Sequence, residues 1–146
     1  MNTPLHIRNL RLFRLAIPLR LRFEHAGAAR DTADPIIVEL TGGAPHAHLV
    51  GYGETLARPY VTGETPESVF EDITNLFAPL LAEFRCTSFV EALEFIEALP
   101  MQLAGRVVTA ARRAVSTAMA GWTAMISRRW LRSSSETARP TATRTM

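Results

Sequence analysis

The spacing of apolar residues changes along this chain at the segment 51–65, and that change limits the folds open to it. Before the segment, apolar residues alternate with others over 15–23, which is the period of a strand with one buried face. After it, apolar residues recur every three or four positions over 69–84, which is the period of a helix with one apolar face. A domain that has its strands first and its helices second belongs to the α+β class.

Three strands joined into an antiparallel meander are predicted for the first part of the chain. They cover residues 15–23, 35–40 and 48–54. Pro18 indicates an edge position or a bend in the first strand, because it donates no ladder hydrogen bond. A bulge near Leu12 would bring the preceding residues into the same strand. The polar segment 24–33 is predicted to be a loop, and 42–45 has the composition of a turn.

About three helices are predicted to follow the meander. They cover residues 66–84, 88–99 and 103–126. Thr65 is a good N-cap and Pro66 suits the first helical position. Pro79 should kink or divide the first helix, because it lacks a donor for the helical hydrogen bonds. Ser88 and Glu91 have the spacing of a capping box for the second helix.

The charge of the chain is divided unevenly between its two ends. All 16 basic residues are arginine, which excludes any mechanism that needs a lysine base or a Schiff base. Residues 1–97 carry 8 arginines against 13 acids, whereas residues 98–146 carry 8 arginines against one acid. We therefore predict one domain over 1–126 and a basic, disordered tail over 127–146. Such tails are usually only solvated, so we do not expect nucleic-acid binding.

Other features point to a cytoplasmic protein. A single cysteine, Cys86, excludes an internal disulfide and is expected to be a small buried or half-buried apolar residue. Arginines interrupt every apolar run near the N-terminus, which argues against a secretory signal. No window has the length of a membrane span.

Several residues near the strand ends could belong to a site. Gly51 and Gly53 lack the rest of a dinucleotide-binding fingerprint, so a bend at a strand end is the favoured interpretation. Glu54 is expected to orient the loop that follows it. His46 and His48 would share one face of a strand and could bind a metal, but with no third ligand indicated a solvated turn is favoured.

The order of these segments resembles the N-terminal capping domain of the enolase superfamily, in its mandelate racemase and muconate lactonizing enzyme branch. The resemblance covers roughly residues 5 to 118. It is carried by Phe23-Glu24-His25-Ala26, Ile36-Ile37-Val38-Glu39-Leu40, Val50-Gly51-Tyr52-Gly53-Glu54, Arg58-Pro59-Tyr60 and Thr62-Gly63-Glu64-Thr65. It implies a meander followed by helices, covering the mouth of a catalytic (β/α)8 barrel.

The resemblance also implies a chemistry that this chain cannot perform alone. The family's reaction begins with abstraction of a proton α to a carboxylate, with Mg²⁺ stabilising the enediolate, and leads to racemisation, epimerisation, cycloisomerisation or dehydration. The acid-base residues and metal ligands belong to the barrel, so we expect neither catalytic residues nor a metal site in this chain. A truncated or frameshifted reading frame would explain the missing barrel. The expected partners are a separately encoded barrel and, for the full-length enzyme, further copies of itself.

The resemblance places substrate contacts in the two loops of the cap, at His25 and Arg30 in the first and at Arg58 and Tyr60 in the second. Arginine can pair with a substrate carboxylate through two hydrogen bonds, and tyrosine offers an apolar face with a hydroxyl. Alternatively, Arg58 and Tyr60 only pack and solvate the cap itself. A second function also stays open, that of a non-catalytic interaction module which binds a protein or an anionic surface through its helices and its arginine-rich tail.

Overall fold

The computed structural model describes residues 4–25, 28–103 and 105–136. Its strands are β1 (Leu5–Arg14), β2 (Ile17–His25), β3 (Ala28–Ala33), β4 (Ile36–Gly42), β5 (Val50–Thr55), β6 (Arg85–Cys86), β7 (Gln102–Leu103) and β8 (Arg106–Val107). Its helices are α1 (Pro59–Thr62), α2 (Pro66–Asp72), α3 (Ala78–Glu83), α4 (Phe89–Ala98) and α5 (Thr109–Glu136), with a π-helical segment, Ile73–Phe77, between α2 and α3. The predicted α+β class is confirmed.

The central sheet has four antiparallel strands in the order β5-β4-β1-β6. Strand β4 pairs on one side with β1, where Leu10 lies opposite Leu40, and on the other with β5, where Gly51 lies opposite Leu40. Three side chains of β4 that point to the helices are completely buried: Ile36, Val38 and Leu40. The predicted meander is therefore present, with the short strand β6 added at its edge.

The first strand of the sheet is not the one predicted. The alternating segment 15–23 mostly belongs to β2, which pairs with β3 in a separate hairpin, and residues 28–33 of the predicted loop are strand β3. The sheet register shifts between Ile7 and Asn9 and not near Leu12. Pro18 is accommodated because each strand of a two-stranded hairpin is an edge. The alternation thus marks a hairpin with one exposed apolar face.

The helical segment after the meander buries a stripe of side chains spaced four residues apart: Val69, Ile73, Phe77 and Leu81. A pure α-helix has 3.6 residues per turn, so a four-residue spacing would drift around its axis. The π-helical segment has a wider turn and keeps the stripe directed at the sheet. The segment ends at Phe77 and α3 begins at Ala78, so the hydrogen-bonding pattern changes in the turn that contains Pro79 while the backbone stays helical through it, and the predicted division at Pro79 is not found.

Helix α5 lies directly against strand β5, and the glycines of that strand make this possible. A Cβ atom on Gly51 would lie 2.6 Å from the Cβ of Trp122, and one on Gly53 would lie 2.8 Å from the backbone nitrogen of Ala118. Both glycines sit in regular pairing with β4. The predicted bend at Gly51 and Gly53 is therefore wrong. These residues lie in a regular strand, and their lack of a side chain lets helix α5 approach it.

The third predicted helix differs from α5 at both ends. Residues 102–107 form the β7–β8 hairpin, so the helix begins at Thr109 and not near residue 103. At the other end the helix continues past Ile126 to Glu136, across the first ten residues of the predicted disordered tail. The remainder of that tail, 137–146, lies outside the described residues, and the division at residue 126 stays a prediction.

Cys86 is buried beside the N-terminus of α4, as expected. Burial raises the pKa of its thiol to about 11 from an ordinary value of 9.0. The neutral thiol is therefore favoured in the folded chain, and at pH 8 only about one molecule in a thousand carries the reactive thiolate, against about one in ten for an ordinary thiol.

We predict that 5,5′-dithiobis(2-nitrobenzoate) reacts with native Cys86 at least about a hundredfold more slowly than with the urea-unfolded chain at pH 8. The reaction is followed by absorbance, and the unfolded chain is the control because this cysteine is the single one in the sequence. Equal rates in the native and unfolded chains would show that the thiol is open to solvent.

Candidate functional site

A groove of about 390 Å³ lies between the β2–β3 hairpin and the segment that follows β5. It brings together Arg30, Arg58 and Tyr60, three of the predicted substrate contacts, although Arg30 and Arg58 are 28 positions apart in the sequence. The other lining residues are Leu19, Arg20, Leu21, Thr32, Ala33 and Leu56. The groove is thus a mainly aliphatic surface with three guanidinium groups, a hydroxyl and a phenol on it.

The three arginines of the groove differ in their partners. The Arg30 guanidinium lies 3.2 Å from the carboxylate of Asp34, four residues along the chain. Within the described part of the chain, neither Arg20 nor Arg58 forms an ion pair. The groove lining contains no aspartate or glutamate. The groove consequently carries positive charge that an anionic ligand could neutralise.

The second wall of the groove is held in place by contacts at residues 63–65. Thr65 caps α2 and accepts a hydrogen bond from the backbone of Ser68 at 3.1 Å, as the predicted N-cap requires. The buried carboxylate of Glu64 accepts the Ala110 backbone N–H at 2.8 Å and so caps the start of α5. Gly63 has a φ of 77°, a backbone conformation that favours glycine. Glu64 was missed as a structural carboxylate because its partner is 46 positions away.

The remaining predicted residues lie elsewhere. The side chain of His25 is outside the described part of the structure, at the end of β2. Glu54 lies exposed on β5 opposite Ile37, and among the described residues its carboxylate forms no ion pair. Its role in orienting the loop stays a prediction. His46 and His48 precede β5 in a turn, so the strand that would have aligned them does not include them.

Across residues 4–25, 28–103 and 105–136, no group of three His, Cys, Asp or Glu side chains is placed to hold a metal ion. The Mg²⁺ that the resemblance implies therefore has no fitting site among these residues. No described helix has the length and apolar character needed to cross a membrane.

Neither protein-family profiles nor curated proteins match this chain. Several solved structures do match it. The chain is similar to the L-Ala-D/L-Glu epimerase from Bacillus subtilis, with 27% identity and a TM-score of 0.66 over 83% of this chain and 32% of that one. It is also similar to the dipeptide epimerase from Enterococcus faecalis solved with Mg and the dipeptide L-Leu-L-Tyr, with 26% identity and a TM-score of 0.62 over 78% of this chain and 30% of that one.

A third similar structure is an enolase-superfamily protein from Listeria innocua, at 24% identity and a TM-score of 0.67, over 84% of this chain and 31% of that one. At that identity the likeness shows the fold alone. This chain spans about a third of the length of each of these three proteins.

Proposed function

Because this chain has the N-terminal capping-domain fold of the enolase superfamily, we propose that it covers the active site of a (β/α)8 barrel and helps to select the barrel's substrate. The barrel would carry out Mg²⁺-dependent abstraction of a proton α to a carboxylate, and the chain alone would not catalyse this reaction. A cytoplasmic location and association of the full-length enzyme with further copies of itself belong to the same proposal.

The observation that carries the proposal is the single groove built from two separate parts of the chain. The β2–β3 hairpin contributes Arg30 and the segment after β5 contributes Arg58 and Tyr60. The hairpin emerges between the paired strands β1 and β4, and the Glu64 carboxylate ties the second part to helix α5. A groove with walls from two separate segments can limit the orientation of a bound substrate, which is what selection between similar substrates requires.

The barrel as a partner is supported by exposed apolar side chains of β2, two of which, Leu19 and Leu21, line the groove. Ile17, Leu19 and Leu21 of β2 have 46%, 37% and 83% of their surface exposed. An apolar strand face of this kind is unusual on a free surface and marks a contact with another protein surface. We propose that the barrel covers it, so that the groove becomes the closed end of the active site.

In this arrangement the residues of the chain bind the substrate and shield it from water, and the barrel performs the chemistry. The guanidinium of Arg58 would hold an anionic group of the substrate, and the ring of Tyr60 would pack on its apolar part. The leucines of the hairpin would keep water from the reacting carbon, which strengthens every electrostatic interaction in the site.

A chimera tests this function. Residues 1–126 replace the corresponding cap of the Bacillus subtilis L-Ala-D/L-Glu epimerase, and dipeptide epimerisation is measured in the presence of Mg²⁺. We expect an active chimera whose kcat/KM falls about tenfold with Arg58→Ala, because one charged contact to the substrate is lost. The matched control is Arg22→Ala, since Arg22 pairs with the exposed Glu24 and lies outside the groove.

Two results would contradict the proposal. One is an active chimera in which Arg58→Ala and Tyr60→Ala leave kcat/KM unchanged for every dipeptide tried. The other is a folded chimera with an intact barrel and no activity, which would favour the interaction module that needs no catalytic barrel.

A further inference from the structure

We propose that Glu64 is a positioning residue: its buried carboxylate caps the distant helix α5 and thereby holds in place the exposed turn that carries Arg58 and Tyr60. No contact between Glu64 and a substrate is part of this role. The effect of Glu64 on the turn is a property of this chain alone, whereas its effect on substrate binding rests on the proposed function.

The turn has little packing of its own to fix where it lies. Helix α1 is a single turn without a buried residue, and Tyr60 and Val61 have 52% and 65% of their surface exposed. Backbone hydrogen bonds within the turn run from Val61 to Arg58 at 2.8 Å and from Gly63 to Pro59 at 2.9 Å. These bonds define the shape of the turn, but they do not attach it to the domain. A helical turn of this length is unstable in water unless something else holds it.

The turn is attached through the buried residues nearest to it on either side. Ala57 precedes it and Glu64 follows it, with 1% and 3% of their surface exposed. Ala57 contributes only a methyl group. The Glu64 carboxylate, by contrast, accepts the backbone N–H of Ala110 with both oxygens, at 2.8 and 3.0 Å. Of these two attachments, only that of Glu64 is directional.

This hydrogen bond serves helix α5 at a place where the helix has no cap of its own. The first N–H groups of a helix have no partner within it, and the side chain of the preceding residue commonly accepts one of them. Before α5 that residue is Val108, whose side chain has no acceptor. Glu64 fills this role from 46 positions away, and its charge suits the positive end of the helix dipole. If Glu64 moved away with the turn, the Ala110 N–H would lose its acceptor, so the turn and the start of α5 are coupled.

Hydrogen exchange in the full chain, measured by NMR without any barrel, tests the positioning role directly. In Glu64→Ala the backbone N–H groups of Val61 and Gly63 should exchange about tenfold faster than in the wild-type chain at the same pH, because the turn opens more often. Glu64→Gln keeps an oxygen acceptor and should restore most of the protection. If Glu64→Ala does not fold, Glu64→Asp, with a shorter side chain, should give a smaller increase of about threefold.

The matched control is Ser88→Ala, which removes a helix cap far from the turn in sequence. The Ser88 hydroxyl accepts the Glu91 backbone N–H at 3.2 Å at the start of α4. The loss of this cap should lower the stability of the chain, as thermal unfolding will show, and leave the exchange of Val61 and Gly63 at the wild-type rate. Unchanged exchange of the two groups in folded Glu64→Ala, or an equal increase in Ser88→Ala, would overturn the proposal.

Kinetics of the chimera test whether the turn positions Arg58 and Tyr60 for substrate. Glu64→Ala should raise KM for the dipeptide about tenfold and change kcat by less than about twofold, because binding contacts are lost and the barrel is untouched. On a background with both Arg58→Ala and Tyr60→Ala the same change should have little further effect, since Glu64 acts through these residues. An equal rise in KM on both backgrounds would overturn the role in substrate binding.

Failure of the positioning role and failure of the proposed function give different results. If the exchange of the turn responds to Glu64→Ala while no chimera is active, Glu64 holds the turn and the proposed function is wrong. If the chimera is active and responds to Arg58→Ala while the exchange is unchanged in Glu64→Ala, the chain is a cap and Glu64 does not position its turn.

Discussion

Replacing Gly53 with alanine should lower the free energy of unfolding by about 3 kcal/mol or more, or prevent folding altogether. The new Cβ would overlap the backbone carbonyl oxygen of Ala114 and lie 2.8 Å from the backbone nitrogen of Ala118. Backbone atoms of a helix cannot rotate away as a flexible side chain can. The whole of α5 would have to move off β5, and the buried side chains between them would lose their contacts.

The matched control for this substitution is Gly121→Ala, in helix α5, which packs on the strand that contains Gly53. A Cβ on Gly121 would meet nothing nearer than the Tyr52 carbonyl oxygen at 4.0 Å. Alanine is favoured over glycine inside a helix, so this variant should gain up to about 1 kcal/mol. Urea unfolding followed by circular dichroism measures the free energy of unfolding of both variants. Wild-type stability in Gly53→Ala, or equal shifts of the same sign in the two variants, would contradict the close packing of α5 on β5.

The second large effect is expected at the ion pair between Arg106 and Asp72. Asp72 has 2% of its side chain exposed, whereas Arg106 has 53% exposed. Burial raises the pKa of Asp72, and Arg106 opposes that rise by stabilising the ionised form. Arg106→Ala would leave a buried carboxylate without its cation and should cost about 2 kcal/mol at pH 7.

The loss of stability caused by Arg106→Ala should depend on pH in a defined direction. A raised pKa means that the protonated carboxyl is favoured in the folded chain, so the penalty of the buried charge is present above that pKa and disappears as the pH falls through it. The loss caused by Arg106→Ala should therefore shrink between pH 7 and about pH 4. On an Asp72→Asn background it should be small at every pH. An equal loss on both backgrounds would show that the ion pair does not cause the effect.

The start and the buried face of the first long helix could be predicted because their signals are local. Thr65 and Pro66 mark a helix start within two residues, and the apolar stripe from Val69 onward fixes the buried face. The strands were harder to place in the sheet. The alternation at 15–23 shows that one face is apolar, but it does not show what covers that face. Strand β1 lacks strict alternation, and its place in the sheet depends on pairing with β4.

The candidate site was predictable in part. Arg30, Arg58 and Tyr60 were placed in two loops by resemblance, and the fold brings them into one groove. Arg20 was missed because it lay in a segment assigned to the sheet, where its side chain would have faced solvent. The ion pair that separates Arg30 from the other arginines is local in sequence and could have been noticed, since Asp34 follows it by four residues.

The most direct test of the central claim is to ask which surface of the chain meets the barrel. A photo-crosslinking residue is placed at Leu21, in the groove, or at Val90, which is 61% exposed on α4 away from the groove lining. Each is introduced into the active chimera and irradiated, and cross-linked peptides are identified by mass spectrometry. We expect cross-links from position 21 to the barrel mouth and none from position 90. Cross-links to the barrel from position 90 alone would contradict the assignment of the groove as the surface that covers the active site.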